Sequence, residues 1–289
     1  MDYFEPKTVS EALSLLAKFG DQAKIIAGGT DVMVDIKYRE EPGCLVNIKR
    51  IPGLNAIEEN GAGLRIGSLV TIREMETSQL VRERLPLLWE ASHQFASLQI
   101  RNTATIGGNI CRASPSGETL TPLLVLEAKA KLAFSDGEKT EAFDSLFQGP
   151  GQTRLGAAGL LANIEVPYPA KNSCAVYLKH AVRGAMDIAI VGVAVLVTPD
   201  VANAQLQDVR IGLGAVAPTP IRAAKTEALV RGKSPNAALV QEAGRMAVSE
   251  SSPISDQRSS AEYRRWIVEA LTRRGLEQCW KAATGKEVV

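Results

Sequence analysis

Two glycine pairs, each preceded closely by β-branched residues, constrain this chain more than any other feature. The first lies in KIIAGGTDVMV, Lys24 to Val34, where Ile25 and Ile26 lead through Ala27 into Gly28, Gly29, Thr30 and Asp31. The second lies in TATIGGNIC, Thr103 to Cys111, where Gly107 and Gly108 sit between Thr105, Ile106 and Asn109. Glycine adopts positive φ and lets another group approach the backbone closely. Successive free N–H groups in such a turn form a nest suited to a phosphate. Neither pair is G-x-G-x-x-G or G-x-x-x-x-G-K-[ST], so the Rossmann fingerprint and the P-loop are both absent. One Gly-Gly corner alone reads most simply as a tight turn. Two corners, each with a hydroxyl or amide beside it, supply the many donors that a diphosphate needs. ASPSGETLTPLL then adds Ser114, Ser116 and Glu118. A carboxylate at Glu118 suits a ribose hydroxyl, or equally the first turn of a helix.

Other chemistries lack their residues. Only His93 and His180 are present, too few for a histidine metal site and a poor basis for a Ser-His-Asp triad. Cys44, Cys111, Cys174 and Cys279 lie far apart in sequence and none forms C-x-x-C. Free thiols in a cytoplasmic chain are expected, with no metal and no catalytic side chain assigned. Net charge is +1, which leaves no electrostatic footprint for nucleic acid. Arg264-Arg265 and Arg273-Arg274 read as solvated helix faces, free to steady an assembly. The N-terminal MDYFEPKTVSEAL has neither the basic nor the apolar region of a signal peptide, and no apolar run is long enough for a membrane span.

The 289 residues suit two domains. TVSEALSLLAKFG reads as a helix capped by Thr8 or Ser10 and ended by Gly20. AKIIAGG, CLVNI, GLRIGSLV and LLANIEVPYP read as strands, and Asp31 to Lys37 as a helix or an extended segment. TIREMETSQLVRERLPLLWEASHQF has helical spacing interrupted at Pro86. IRNTATIGGNI reads as a strand ended by its glycines. Past residue 173 come two long strands, AIVGVAVLVT and VRIGLGAVAPTPIRA, and then three helical runs. In the last of these Tyr263, Trp266, Ile267, Ala270 and Leu271 are expected to form the apolar face. Strands followed by helices indicate an α+β architecture, divided into domains at 1–172 and 173–289.

IIAGGTD, QIRNTATIGGNICRASPSGETLTPLL, LKHAVRGAMDIAIVGVAV, GLGAVAPTPIRAAKTEAL and SSAEYRRWIVEALTRR occur in that order. Together they resemble the FAD-binding subunit of the xanthine dehydrogenase family of molybdenum hydroxylases, over nearly the whole chain. The resemblance implies an FAD-binding domain of the vanillyl-alcohol oxidase (PCMH) type, followed by an α+β C-terminal domain. It places the first pyrophosphate loop at Ala27 to Asp31, with Ile25 and Ile26 leading in, and the second at Thr105 to Asn109, with Ser114 just beyond. Glu118 falls where the family usually has Asp, near the ribose. Phe95 falls where some members stack a ring on the adenine; by itself it reads equally as a core aromatic. Leu161, Lys179 and Ile188 fall at flavin-contacting positions. From residue type alone, Lys179 reads as a surface lysine and Ile188 as a strand core residue.

Relatives that reduce hydroxybenzoyl-CoA carry an extra iron–sulfur cluster in a cysteine-bearing insertion. That insertion and its cysteines are missing here, which narrows the implied cofactor of this chain to FAD. The resemblance puts the molybdenum cofactor and [2Fe–2S] clusters on a large and a small partner subunit, in a dimer of heterotrimers. It implies an oxidoreductase that relays electrons to NAD, a quinone or another acceptor while a purine-like N-heterocycle or an aldehyde is hydroxylated. Two rivals stay open at this point. One is a self-sufficient flavoprotein oxidoreductase; no histidine lies near Gly28 to tether a flavin. The other is a nucleotide-binding assembly module without a redox role.

Overall fold

The computed structural model describes residues 1–39 and 41–288. The chain forms two compact units and passes between them repeatedly. The first comprises Met1–Thr77, Ser97–Ser114 and Glu127–Pro167; the second comprises Ser78–Ala96, Pro115–Leu126 and Tyr168–Val289.

The first unit holds a three-stranded parallel sheet in which Cys44–Asn47 lies between Asp2–Phe4 and Ala23–Ile26. The helix Val9–Phe19 packs on it. Thr8 caps that helix by accepting from the Glu11 N–H, and Gly20 ends it at φ 54°. Ala12 and Leu16 bury against Cys44 and Val46 in one cluster. An antiparallel sheet of five strands runs in the order Ile57–Glu59, Gly63–Gly67, Leu160–Pro167, Lys129–Phe134, Gly137–Ala142.

The second unit is an antiparallel sheet ordered Cys174–His180, Val191–Asp200, Gln205–Gly214, Ile221–Arg222. Nine of the ten residues in Val191–Asp200 are buried. Both faces of that strand are covered, by the helices Ala261–Thr284 and Leu120–Val125, which is why it reads as a continuous apolar run rather than an alternating one. Gly212 and Gly214 lie directly under Thr121, where a Cβ would clash. Pro86 occupies the first turn of the helix Pro86–His93, the position at which a missing N–H costs nothing. Among the described residues no helix is long and apolar enough to cross a membrane.

Two expectations are corrected. IRNTATIGGNI is not a strand. It forms the helices Leu98–Arg101 and Ile106–Arg112, because Ser97 and Thr105 accept from the Ile100 and Gly108 N–H groups and start a helix at each place. Local capping overrides the β preference of the threonines and isoleucine. The buried stripe of Ala261–Thr284 is also rotated from the one expected. It runs through Arg264, Val268, Leu271, Thr272, Gly275, Leu276, Cys279 and Trp280. Trp266 is 60% exposed, and Arg264 is buried with Nη1 donating to the Ile190 and Ala215 carbonyls at 2.6 and 3.0 Å. Arg265, Arg273 and Arg274 do face solvent.

Candidate functional site

In the first unit, the strand Ala23–Ile26 delivers the chain into the first glycine corner, and the helix Val32–Tyr38 leaves it. Gly29 takes φ +77°, a conformation that L-residues adopt only with strain. A Cβ on Gly28 would overlap the carbonyl of Thr103. Gly28 is therefore small because the approach to the second corner packs on it, and this contact brings the two corners side by side. The Met33 N–H donates to the Gly29 carbonyl at 3.0 Å and the Asp35 N–H to the Asp31 carbonyl at 2.9 Å. The N–H groups of Gly28, Gly29, Thr30 and Asp31 make no hydrogen bond to any described residue. Consecutive main-chain donors with no protein acceptor suit an anion.

The second corner is built differently. The Ile106 N–H donates to Val70 O at 2.9 Å, Gly107 to Ser68 O at 2.9 Å, and Asn109 to Thr105 O at 3.0 Å. The Gly108 N–H is taken by Thr105 Oγ1 at 3.0 Å. These donors are engaged within the protein, so this corner offers close approach over the exposed Gly108 rather than a row of free donors. Gly107 is needed because a Cβ there would lie 2.6 Å from both Cβ and the carbonyl of Ser68. Ser68 Oγ and Asn163 Oδ1 are buried without a hydrogen-bond partner among the described residues. Asn163 pairs with Gly67 beside a bulge between Leu161 and Asn163, and Ser68 directly follows Gly67. Leu161 itself is 3% exposed and lies in the core. Ser114 is half-buried, one residue past Ala113 at φ 48°.

One residue here escaped the sequence reading. Arg112, at the end of the helix Ile106–Arg112, reaches the helix that follows the first corner. Its Nη1 and Nη2 grip Asp35 at 2.6 and 3.3 Å, and its Nε lies 3.3 Å from Asp31. The sequence carried only half a signal, two carboxylates four residues apart on one helix face. Their partner lies 77 residues beyond Asp35.

In the second unit, the strand Cys174–His180 carries Lys179, whose side chain is only 8% exposed and is not at the surface. Its Nζ donates to Glu118 Oε1 at 2.9 Å, to Gln94 O at 3.1 Å and to Asp187 O at 2.7 Å. Burial pushes the Glu118 carboxyl up from its ordinary range, and the Lys179 ammonium opposes that shift. The Asp187 carboxylate accepts from the Arg183 and Ile188 N–H groups, so the turn before Ile188 is tied internally. Ile188 is 45% exposed and lies outside any strand, contrary to its reading as a strand core residue. Phe95 is buried just past the helix Pro86–His93. The fold also joins two cysteines that the sequence keeps apart. A hydrogen bond with Cys279 lowers the Cys174 thiol to about 7, while that of Cys279 is pushed well up.

Residues 1–169 match the family described as the FAD binding domain in molybdopterin dehydrogenase, and residues 176–279 match the CO dehydrogenase flavoprotein C-terminal domain. The chain is 31% identical to the xanthine dehydrogenase FAD-binding subunit of Escherichia coli O157:H7, over 98% of this chain and 97% of that one. It is 32% identical to the carbon monoxide dehydrogenase medium chain of Hydrogenophaga pseudoflava, over 96% of each. The solved H. pseudoflava carbon monoxide dehydrogenase that lacks the Mo-pyranopterin moiety contains a chain of the same fold, with TM-score 0.95 and 33% identity over 98% of both. Quinoline 2-oxidoreductase from Pseudomonas putida 86 contains another, with TM-score 0.92, 26% identity and 98% coverage of both. With both family descriptions matched in order and the fold shared along almost the whole chain, this protein belongs to the FAD-binding medium subunits of the xanthine and carbon monoxide dehydrogenase family of oxidoreductases.

Proposed function

We propose that this chain holds FAD by its diphosphate at the first glycine corner and acts as the electron-relay subunit of a cytoplasmic molybdenum hydroxylase. The observation that carries the binding site is the run of free N–H groups from Gly28 to Asp31, pressed against the second corner through Gly28. Thr30 adds a hydroxyl, and on the resemblance Thr105 to Asn109 with Ser114 also belong to the phosphate site, the second corner offering close approach over Gly108 rather than free donors. Ile25, Ile26 and Ala27 shape the approach, and Leu161 backs the site from the core. Phe95, Glu118, Lys179 and Ile188 are proposed cofactor contacts on the resemblance, for adenine, ribose and flavin ring in turn. The FAD-binding domain is taken as 1–172 and the C-terminal domain as 173–289. FAD supplies, when bound, a carrier that exchanges electrons singly or in pairs. The residues of this chain bind and orient it, and none is assigned an acid–base role.

In this reading electrons arrive from [2Fe–2S] clusters on a small partner subunit, after hydroxylation at a molybdenum cofactor on a large one. They leave to NAD, a quinone or another acceptor. The relatives' names support a multi-subunit setting, since they are called medium chains and FAD-binding subunits. A purine-like N-heterocycle or an aldehyde is the proposed substrate of the assembly, a dimer of heterotrimers.

Diphosphate recognition is tested by flavin titration of the cofactor-free chain. FAD should bind one to one, with ADP competing. FMN lacks the adenosine as well as the second phosphate; the loss of about two charge-assisted hydrogen bonds, or about 3 kcal/mol, should by itself weaken it roughly a hundredfold, and the missing adenosine contacts should weaken it further. Equal affinity for FMN and FAD would show that the glycine corner does not read the diphosphate.

A further inference from the structure

We propose that Arg112 is the positioning residue of the diphosphate site. It ties the two glycine corners into one geometry and cancels carboxylate charge beside the bound anion. The inference rests on the proposed FAD site and goes beyond it, because Arg112 belongs to neither glycine corner.

The geometry is that of a strut. Arg112 closes the helix that begins at the second corner, and Asp31 and Asp35 open the helix that leaves the first. The guanidinium grips Asp35 through two nitrogens and presents its third to Asp31. A planar fork held at three points fixes orientation as well as distance, which a lysine ammonium does not. At the opposite edge Gly28 lies against the Thr103 carbonyl. Each corner is therefore held to the other at two places, and the free N–H groups lie between them in sequence.

The electrostatics point the same way. Asp31 contributes both a carboxylate and one of the free N–H groups, so an anion bound there meets a like charge on the same residue. Arg39 also reaches Asp35, at 3.2 Å. The four groups Asp31, Asp35, Arg39 and Arg112 are neutral as a set; without Arg112 they carry one net negative charge next to the diphosphate. Asp31 is 53% exposed and Arg112 29%, so the effect is partly screened and falls as salt rises.

The test measures FAD affinity and thermal unfolding of the FAD-free full chain for wild type, Arg112→Met, Arg112→Lys and Arg112→Met with Asp31→Asn. Arg112→Met should weaken FAD roughly tenfold at low salt, the scale of one unit charge acting over several ångströms near a surface. The deficit should shrink in high salt. Arg112→Lys should recover only part of the loss, because it returns the charge without the three-point fork, and Asp31→Asn should restore the charge-dependent part in the Met background. Two results overturn the proposal: Arg112→Met binding FAD as wild type does, or a deficit that ignores both salt and Asp31→Asn and follows only the melting temperature. Failure of the wild-type chain to take up FAD would instead overturn the underlying site, and the wild-type titration alone reveals it.

Discussion

Lys179 is an ammonium buried among acceptors, and its partner Glu118 is buried with it. Such a pair is held less by net attraction than by the penalty of leaving either charge alone. Lys179→Met should therefore destabilise the FAD-free chain by about 3–5 kcal/mol, and adding Glu118→Leu should recover much of it. Urea unfolding of the two variants decides the matter; a single variant as stable as wild type would show that the carboxylate is protonated or hydrated. Cys174 offers a second residue-scale check. Its thiol lies near 7, so the thiolate dominates above that pH and is lost below it. Alkylation of Cys174, followed by peptide mapping, should rise through pH 7, and Cys279→Ala should move the rise upward. A half-rise at the ordinary thiol value of about 8.5 in the wild type would deny the hydrogen bond. Neither contact was legible in the sequence, because the partners lie 61 residues apart for the ion pair and on separate elements for the thiols.

The two glycine corners differ as elements, and their variants should differ too. A Cβ at Gly28 meets backbone, so Gly28→Ala should separate the corners at a cost of about 1–3 kcal/mol and lower FAD affinity with it. A Cβ at Gly108 meets only Thr105 Oγ1, at 3.0 Å, on an otherwise exposed helical turn. Gly108→Ala should leave the melting temperature equal or raised by the helix preference for alanine, about 1 kcal/mol, while FAD affinity falls if phosphate approaches there. Unchanged FAD binding in Gly108→Ala would remove the second corner from the site. Element type was legible where helical periodicity was strong, as in Val9–Phe19, and where a long Val-rich apolar run marked a buried strand, as in Val191–Asp200. It was misread around Thr105, where one capping side chain turned a β-branched stretch into a helix. It was also misread along Ala261–Thr284, where a buried arginine and a glycine occupy the core stripe and aromatic rings stand outside it. Composition along a helix does not disclose which face has a strand to pack on.

For the whole molecule, ordered motifs carried more than local propensity did. The chain order of the glycine corners, the ASPSGETL turn and the C-terminal strands identified the family, although one of those segments was assigned the wrong secondary structure. Motif order survives such an error because it reflects how a complete fold is assembled around a cofactor, not how one segment behaves alone. The same logic separates what this chain binds from what it can do alone. In the proposed reading its motifs account for holding FAD; among the described residues no group of three or more His, Cys, Asp or Glu side chains is placed to hold a metal ion. In the proposed relay, the substrate is selected elsewhere. The purified chain should therefore bind FAD, yet retain its visible flavin absorbance when an N-heterocycle such as a purine is added without oxygen. Adding the molybdenum and iron–sulfur subunits should let the right substrate remove that absorbance. Loss of absorbance with this chain alone would refute the relay and restore the self-sufficient oxidoreductase. Retention even in the reconstituted assembly, with a substrate that the assembly demonstrably hydroxylates, would mean that electrons leave by another route.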